Sequence, residues 1–191
     1  MSGLLSQRSD LPFKGSRDYL HGTDTYNWLA SLIPAESTFS ITFRRLIRRQ
    51  MEITNLAGDP RAVAEFAVNG TERYTLIETD IEPTARIPYD EDALTTPCTI
   101  DAASITAPLA DSPCTPIELC VAMTKALHQA AMPEEKRKWL FARLELNRLF
   151  LPADKFGLRV EIVQRVETRF TKSTITTRDG VVGNIYFSVI P

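Results

Sequence analysis

PCTPIELCVAMTKALHQAAM, residues 113–132, decides the architecture, because it reads as a helix with almost no polar face. Thr115 suits the N-cap, Pro116 suits the first helical position, where no backbone donor is missed, and Glu118 three residues after the cap completes a capping box. Beyond that start, Ile117, Leu119, Cys120, Val121, Ala122, Met123, Ala126, Leu127, Ala130 and Ala131 cover most of the cylinder. Glu118, Lys125 and Gln129 remain as a narrow polar stripe. A helix this apolar needs walls on nearly every side.

The following residues supply them. KWLFARLELNRLFL, a turn at 153–157, LRVEIVQR, TRFTKSTITTR, an Asp179-Gly180 hairpin turn and VVGNIYFSVI read as successive strands, with Leu158, Val160 and Ile162 on the buried face. A short strand at 99–106 precedes the helix, and Pro108 and Pro113 bracket the loop between them. The fold class that follows is α+β, an antiparallel sheet wrapped around a long central helix.

The first half of the chain follows a similar plan. Residues 1–12 form a lead-in, and Tyr26, Leu29, Ala30 and Ile33 recur at helical spacing after a cap at Thr23 or Asp24, until Pro34 ends the run. TFSITFRRLIRRQMEIT reads as strand through its alternation of Phe39, Ile41, Phe43, Ile47, Met51 and Ile53, with Leu46 beside Ile47 leaving helix as a competing reading. AVAEFAV and TERYTLIET are joined by Asn69-Gly70, a dipeptide whose tolerance of positive φ suits a two-residue hairpin turn. Residues 82–98, with their prolines and the acidic cluster Asp90, Glu91 and Asp92, read as a linker. Units at 13–81 and 99–191 thus present a helix and then a meander in the same order, displaced by roughly ninety-five residues. Arg73-Tyr74-Thr75 and Arg169-Phe170-Thr171 fall at matching places, and AEFAV takes the part of VEIVQ.

Composition excludes several classes of function. Twenty-two basic and 24 acidic residues give a formal charge of -2, without the global basic field that nucleic-acid binding uses. No run approaches the roughly eighteen apolar residues of a membrane span, and the opening MSGLLSQRSDLP lacks the apolar core of a signal peptide. Three cysteines without metal-site spacing and only two histidines argue against structural zinc and for a reducing, cytoplasmic compartment. No cofactor is implied.

The pattern over residues 99–190, with Pro116 and Glu118 on the first turn of the helix and NRLFLPADKFGLRVEIVQR after it, resembles the thioesterases and hydroxyacyl-thioester dehydratases of the hotdog superfamily. The repeat resembles the fused, double-hotdog form. The resemblance implies an acyl-CoA or acyl carrier protein thioester as substrate and partner. It also implies a site where two units meet, a helix N-terminus polarising the thioester carbonyl, and a carboxylate or histidine as base. The His-Phe-Pro-Gly signature is absent before the second helix, where Asp111-Ser112-Pro113-Cys114 stands. A fused pair leaves both a monomer and a homo-oligomer open.

On this reading the catalytic candidates are His21, Asp24 and Glu118. A neutral imidazole can take a proton, and a carboxylate can orient it or act as base. Asp24 and Glu118 also read simply as helix-start residues. Thr115, Arg45 and Arg49 are candidate substrate-binding residues, the arginines because their forks suit phosphate or an acidic carrier surface. On a strand, Arg45 and Arg49 share one face and Arg44 and Arg48 the other, which divides the charge. His128 reads as structural, near a helix end whose dipole favours a cation, and Cys114 as incidental. The alternative function is a non-catalytic hotdog protein that binds an acyl chain or a protein partner, separated from the first by whether His21, Asp24 and Glu118 meet in one cleft.

Overall fold

The computed structural model describes residues 2–56, 58–135, 137–167 and 169–189. Thr168 and Ile190, which the sequence assigns to strands, and Pro191 lie outside them. Along the chain come β1 (Phe13–Lys14), α1 (Gly22–Ala30), β2 (Phe39–Phe43), β3 (Met51–Thr54), β4 (Ala62–Val68), β5 (Glu72–Glu78) and β6 (Arg86–Ile87). Then follow α2 (Glu91–Thr95), β7 (Thr99–Asp101), β8 (Ser104–Thr106), α3 (Pro116–Ala131), β9 (Trp139–Leu146), β10 (Arg159–Val166), β11 (Phe170–Thr177) and β12 (Gly180–Val189).

The expected central helix is α3. Thr115 caps it, accepting from the Glu118 amide at 3.4 Å, while Glu118 Oε2 accepts from the Thr115 amide at 2.8 Å. Ile117, Cys120, Val121, Met123, Thr124 and Leu127 are fully buried. Each large apolar side chain so buried contributes ~1.5–3 kcal/mol. Thr124 keeps its hydroxyl satisfied by donating to the Cys120 carbonyl at 2.7 Å. Only the last turn, Gln129 to Ala131, emerges into solvent.

The wall is a sheet of ten strands, all antiparallel, in the order β3-β5-β4-β2-β9-β12-β11-β10-β8-β7. Its two halves join at the centre, where Phe39 pairs with Leu146 and Ile41 with Leu144. Sheet and α3 together form the hotdog arrangement, α+β with an antiparallel sheet packed on a central helix. The strand following each helix, β2 after α1 and β9 after α3, takes a central place. Outward from there the connections differ. In the second half β9 adjoins the last strand, β12, whereas in the first half β2 adjoins β4 and the last strand, β5, lies beyond it. Arg73-Tyr74-Thr75 on β5 and Arg169-Phe170-Thr171 beside β11 therefore do hold matching places, third from the centre. AEFAV on β4 matches the place of β12 and not that of VEIVQ.

Four local expectations need correction. Residues 39–54 are two strands with different neighbours, not one, and the arginine-rich 44–50 crosses between them, tied to the amide of Leu20 through the Ile47 carbonyl at 2.7 Å. A crossing loop keeps four guanidinium groups in water, which a strand inside the sheet would not. The Asn69-Gly70 turn is present with both φ angles positive, but Val68 pairs with Glu72, so the loop has three residues. The first helix begins at Gly22 with His21 as N-cap, not Thr23 or Asp24. Residues 82–98 are not bare chain either, since they contain β6, paired in parallel with β1, and α2, capped by Asp90.

His128 is structural as expected, but for another reason than the helix dipole. Its ring lies 4.3 Å from that of Trp139 and 5.2 Å from that of Phe187, and Nε2 is 2.8 Å from Thr171 Oγ1. Burial outweighs the dipole and lowers the imidazole pKa from 6.5 to about 4. Nδ1 is buried without a partner, so a second ring proton would find no acceptor.

Two stability predictions follow from this packing. A Cβ on Gly183 would stand 1.9 Å from the Glu145 carbonyl oxygen of β9. Gly183→Ala should therefore lower the urea-unfolding free energy by ~1–3 kcal/mol, as an overpacked site does; an unchanged midpoint would refute the close strand approach. For His128, the unfolded chain binds the extra proton first as pH falls. Its contribution is complete above pH 6.5 and lost by about pH 4, worth about 3 kcal/mol over that window. Denaturation midpoints across the window should show that slope, and His128→Gln should flatten it.

Candidate active site

β1 carries a residue that sequence reading passes over. Lys14 sits inside the protein with only 3% of its side chain exposed, and its ammonium lies 2.6 Å from Asp24 Oδ1 and in contact with Glu118 Oε1. Asp24 and Glu118 are each the third residue of their helix, α1 and α3. The two carboxylates therefore occupy matching positions on their helices and converge on one cation. Thr115 Oγ1 donates to Glu118 Oε2 at 2.8 Å and accepts from Asn27 Nδ2 at 3.2 Å, which stitches the α3 cap to α1. The Tyr89 ring lies 4.9 Å from the Lys14 ammonium and 5.4 Å from the His21 ring, closing the group from the 82–98 segment.

Burial is the largest influence on both carboxylates. It raises the Asp24 pKa against the opposing pull of Lys14, with Glu118 adding to the rise. In Glu118, the hydrogen bonds from Lys14 and Thr115 overcome burial, and its pKa is lowered. Asp24 Oδ2 and the Tyr89 hydroxyl are buried without a protein partner. Burial also raises the thiol pKa of Cys114 despite its place before α3.

His21 stands apart from that cluster, on the wall of a cavity of about 640 Å³. The apolar part of the wall includes Leu20, Phe43, Ile47, Val121, Leu140 and Phe141, and Arg44, Arg45, Arg48 and Arg49 also face the space. The four arginines thus share one cavity, contrary to the division expected from a strand. Each has a carboxylate of its own: Glu65 for Arg44, Glu78 for Arg45, Asp18 for Arg48 and Asp80 for Arg49. Asp24, Glu118 and Thr115 do not line this cavity. The structure brings Asp24, Glu118 and Thr115 together, and separately His21, Arg45 and Arg49.

The His21 imidazole is held well below its ordinary pKa, first by burial and then by the positive charges of Lys125, Arg17, Lys14 and Lys138. It is neutral at pH 7. Nδ1 is 2.6 Å from Thr23 Oγ1. No side chain caps α1. Gly22, its first residue, lines the cavity, and a Cβ there would come within 2.8 Å of the Phe141 ring. The cavity wall therefore combines a neutral imidazole with the uncapped start of a helix. No group of three or more potential metal ligands occurs among the described residues.

No protein-family model and no curated protein sequence matches the chain. Solved structures do resemble it over most of its length. A tesB protein of Mycobacterium avium subspecies paratuberculosis aligns over 100% of this chain and 95% of its own at 11% identity, with a TM-score of 0.46. The dehydratase domain of a mycocerosic acid synthase-like polyketide synthase covers 90% and 82% at 12% identity and a TM-score of 0.48. A monomeric dehydratase domain from a trans-AT polyketide synthase split module covers 97% and 99% at 10% identity and 0.47. No helix among the described residues is long and apolar enough to cross a membrane.

Lys14→Met leaves two buried carboxylates facing each other. Unfolding should become easier by ~3–5 kcal/mol, and adding Glu118→Gln should recover part of the loss by removing one charge. Thermal or urea denaturation of the single and double variants measures it, and a single variant as stable as the parent would remove Lys14 from its structural role.

Proposed function

We propose that the protein binds an acyl thioester, carried by coenzyme A or an acyl carrier protein, in the 640 Å³ cavity, and that His21 serves as its base. The carrying observation is the neutral imidazole on the wall of an apolar cavity beside the uncapped start of α1. The apolar wall takes the acyl chain. The unpaired backbone donors at Gly22 and Thr23 lie where a thioester oxygen gathers negative charge, the condition under which helix-start amides stabilise a transition state. With Nδ1–H donated to Thr23, the Nε2 lone pair is free to take a proton, from water in hydrolysis or from the acyl chain in dehydration. Arg45 and Arg49 draw the anionic carrier towards the cavity. Asp24, Glu118 and Thr115 act by fixing the two helix starts and do not touch the substrate.

We read the chain as a fused double hotdog with units at 13–81 and 99–191. What supports this is the matching position of Asp24 and Glu118 in α1 and α3, together with the central places of β2 and β9. The occupation of both carboxylates by Lys14 favours a second reading, a protein of the same fold that binds acyl thioesters without turning them over.

Acyl-CoA thioesters of graded chain length, followed by release of free thiol and by enoyl formation from 3-hydroxyacyl substrates, distinguish these readings. Turnover should fall at least about tenfold in His21→Ala, with the fold verified by circular dichroism. Saturable binding without turnover by the parent protein selects the second reading, and absence of both binding and turnover overturns the thioester assignment.

A further inference from the structure

A second cavity, of about 480 Å³, adjoins the first. Lys125 lines both, and the Lys138 ammonium of the second lies 4.7 Å from the ring of Tyr19, a wall of the first. Its charges are unevenly matched, although Arg137 and Glu135 in its wall pair with each other at 2.6 Å. Arg17, at 3.0 Å, and Lys125, at 2.7 Å, share the single carboxylate of Glu91, and both cations are only 18% exposed. Lys138 has no carboxylate partner among the described residues. The arginines of the first cavity are, by contrast, matched one to one. The unspent positive charge therefore gathers in the second cavity, where two partly desolvated cations and a third near them suit a group with more charge and more acceptor oxygens than one carboxylate.

We propose that the second cavity is a phosphate subsite, built from Arg17, Lys125 and Lys138, that holds the phosphate of the carrier arm while the acyl chain occupies the first cavity. The assignment rests on the acyl-thioester reading. Glu91 is then the resident anion that phosphate displaces, and α2, which carries it, is the element that yields. Bound phosphate would also offset the charges of Lys125, Arg17 and Lys138 that, with Lys14 and burial, keep His21 weakly basic beside Thr23 and Tyr89. Filling the subsite would make the base stronger when substrate is present.

The experiment compares calorimetric binding of S-octanoyl pantetheine with that of its 4′-phosphate, and of inorganic pyrophosphate alone. In the parent protein the phosphate should tighten binding about tenfold or more. That gain should vanish in Lys125→Met/Lys138→Met, grow in Glu91→Gln, and persist in Lys172→Met on the distant strand β11. His21, followed by NMR, should titrate at higher pH with pyrophosphate bound. Equal affinity for the two pantetheines, with acyl binding intact, overturns the subsite and leaves the thioester reading standing. Loss of the phosphate gain in Arg45→Met/Arg49→Met, with none in the lysine variants, moves the phosphate to the other cavity and overturns it as well. Pyrophosphate binding with no binding of either pantetheine overturns the carrier assignment and the thioester reading together.

Discussion

The position of Lys14 between Asp24 and Glu118 is the constraint on which the arrangement of the two helices depends. Two carboxylates brought together in a half-buried space repel, and each sits on the first turn of a helix whose start carries about half a positive charge. One ammonium together with the two helix starts roughly balances the pair. The cation must then come from outside both helices, and β1 delivers it. Its parallel pairing with β6 holds Lys14 in place, and Tyr89 covers it. Residues from before α1 and from between α1 and α3 are thus committed to one ion cluster, and that cluster sets α1 against α3.

The two helix starts are equivalent in position and different in state. At α3 the capping box engages Thr115 and Glu118 with each other, and Asn27 adds a bond from α1. The α1 start has no such cap. Its N-cap, His21, turns its ring to Thr23, and the first residue, Gly22, exposes backbone to the cavity because Phe43 and Phe141 leave no room for a side chain. Two helix starts can differ in this way, one keeping its donors satisfied for stability while the other leaves them available. On the proposed reading the chemistry belongs to α1, although α3 is the longer and better buried helix.

How much of this was legible in the sequence varies with the range of the forces involved. The α3 boundaries, its capping box and the meander after it were readable, because propensity, capping and alternation act over a few residues and agree there. The two strands within 39–54 were not, because alternation continues across the arginine-rich crossing and only the burial cost of four guanidinium groups breaks it. Asp24 and Glu118 stood out as helix-start carboxylates, but the cation that joins them did not. Lys14 sits between Phe13 and Gly15, ahead of the first helix and without a periodic signal, and Tyr89 lies in a stretch that reads as linker. Their roles come from pairing across the chain, which no local pattern encodes.

The buried cluster also sets the protonation of the group that stands apart from it. A carboxylate facing His21 with its charge uncompensated would raise the imidazole pKa and fill the lone pair needed for base catalysis. Lys14 neutralises the two nearest candidates, so what remains around His21 is the positive field of Lys125, Arg17, Lys14 and Lys138, added to burial. The ring is neutral at pH 7 for that reason, and the same field attracts an anionic ligand. On the proposed reading, a base depressed by the charges that recruit its substrate becomes stronger as the substrate's own negative charge arrives. Stability and reactivity are then linked through Lys14, without Asp24 or Glu118 entering the cavity.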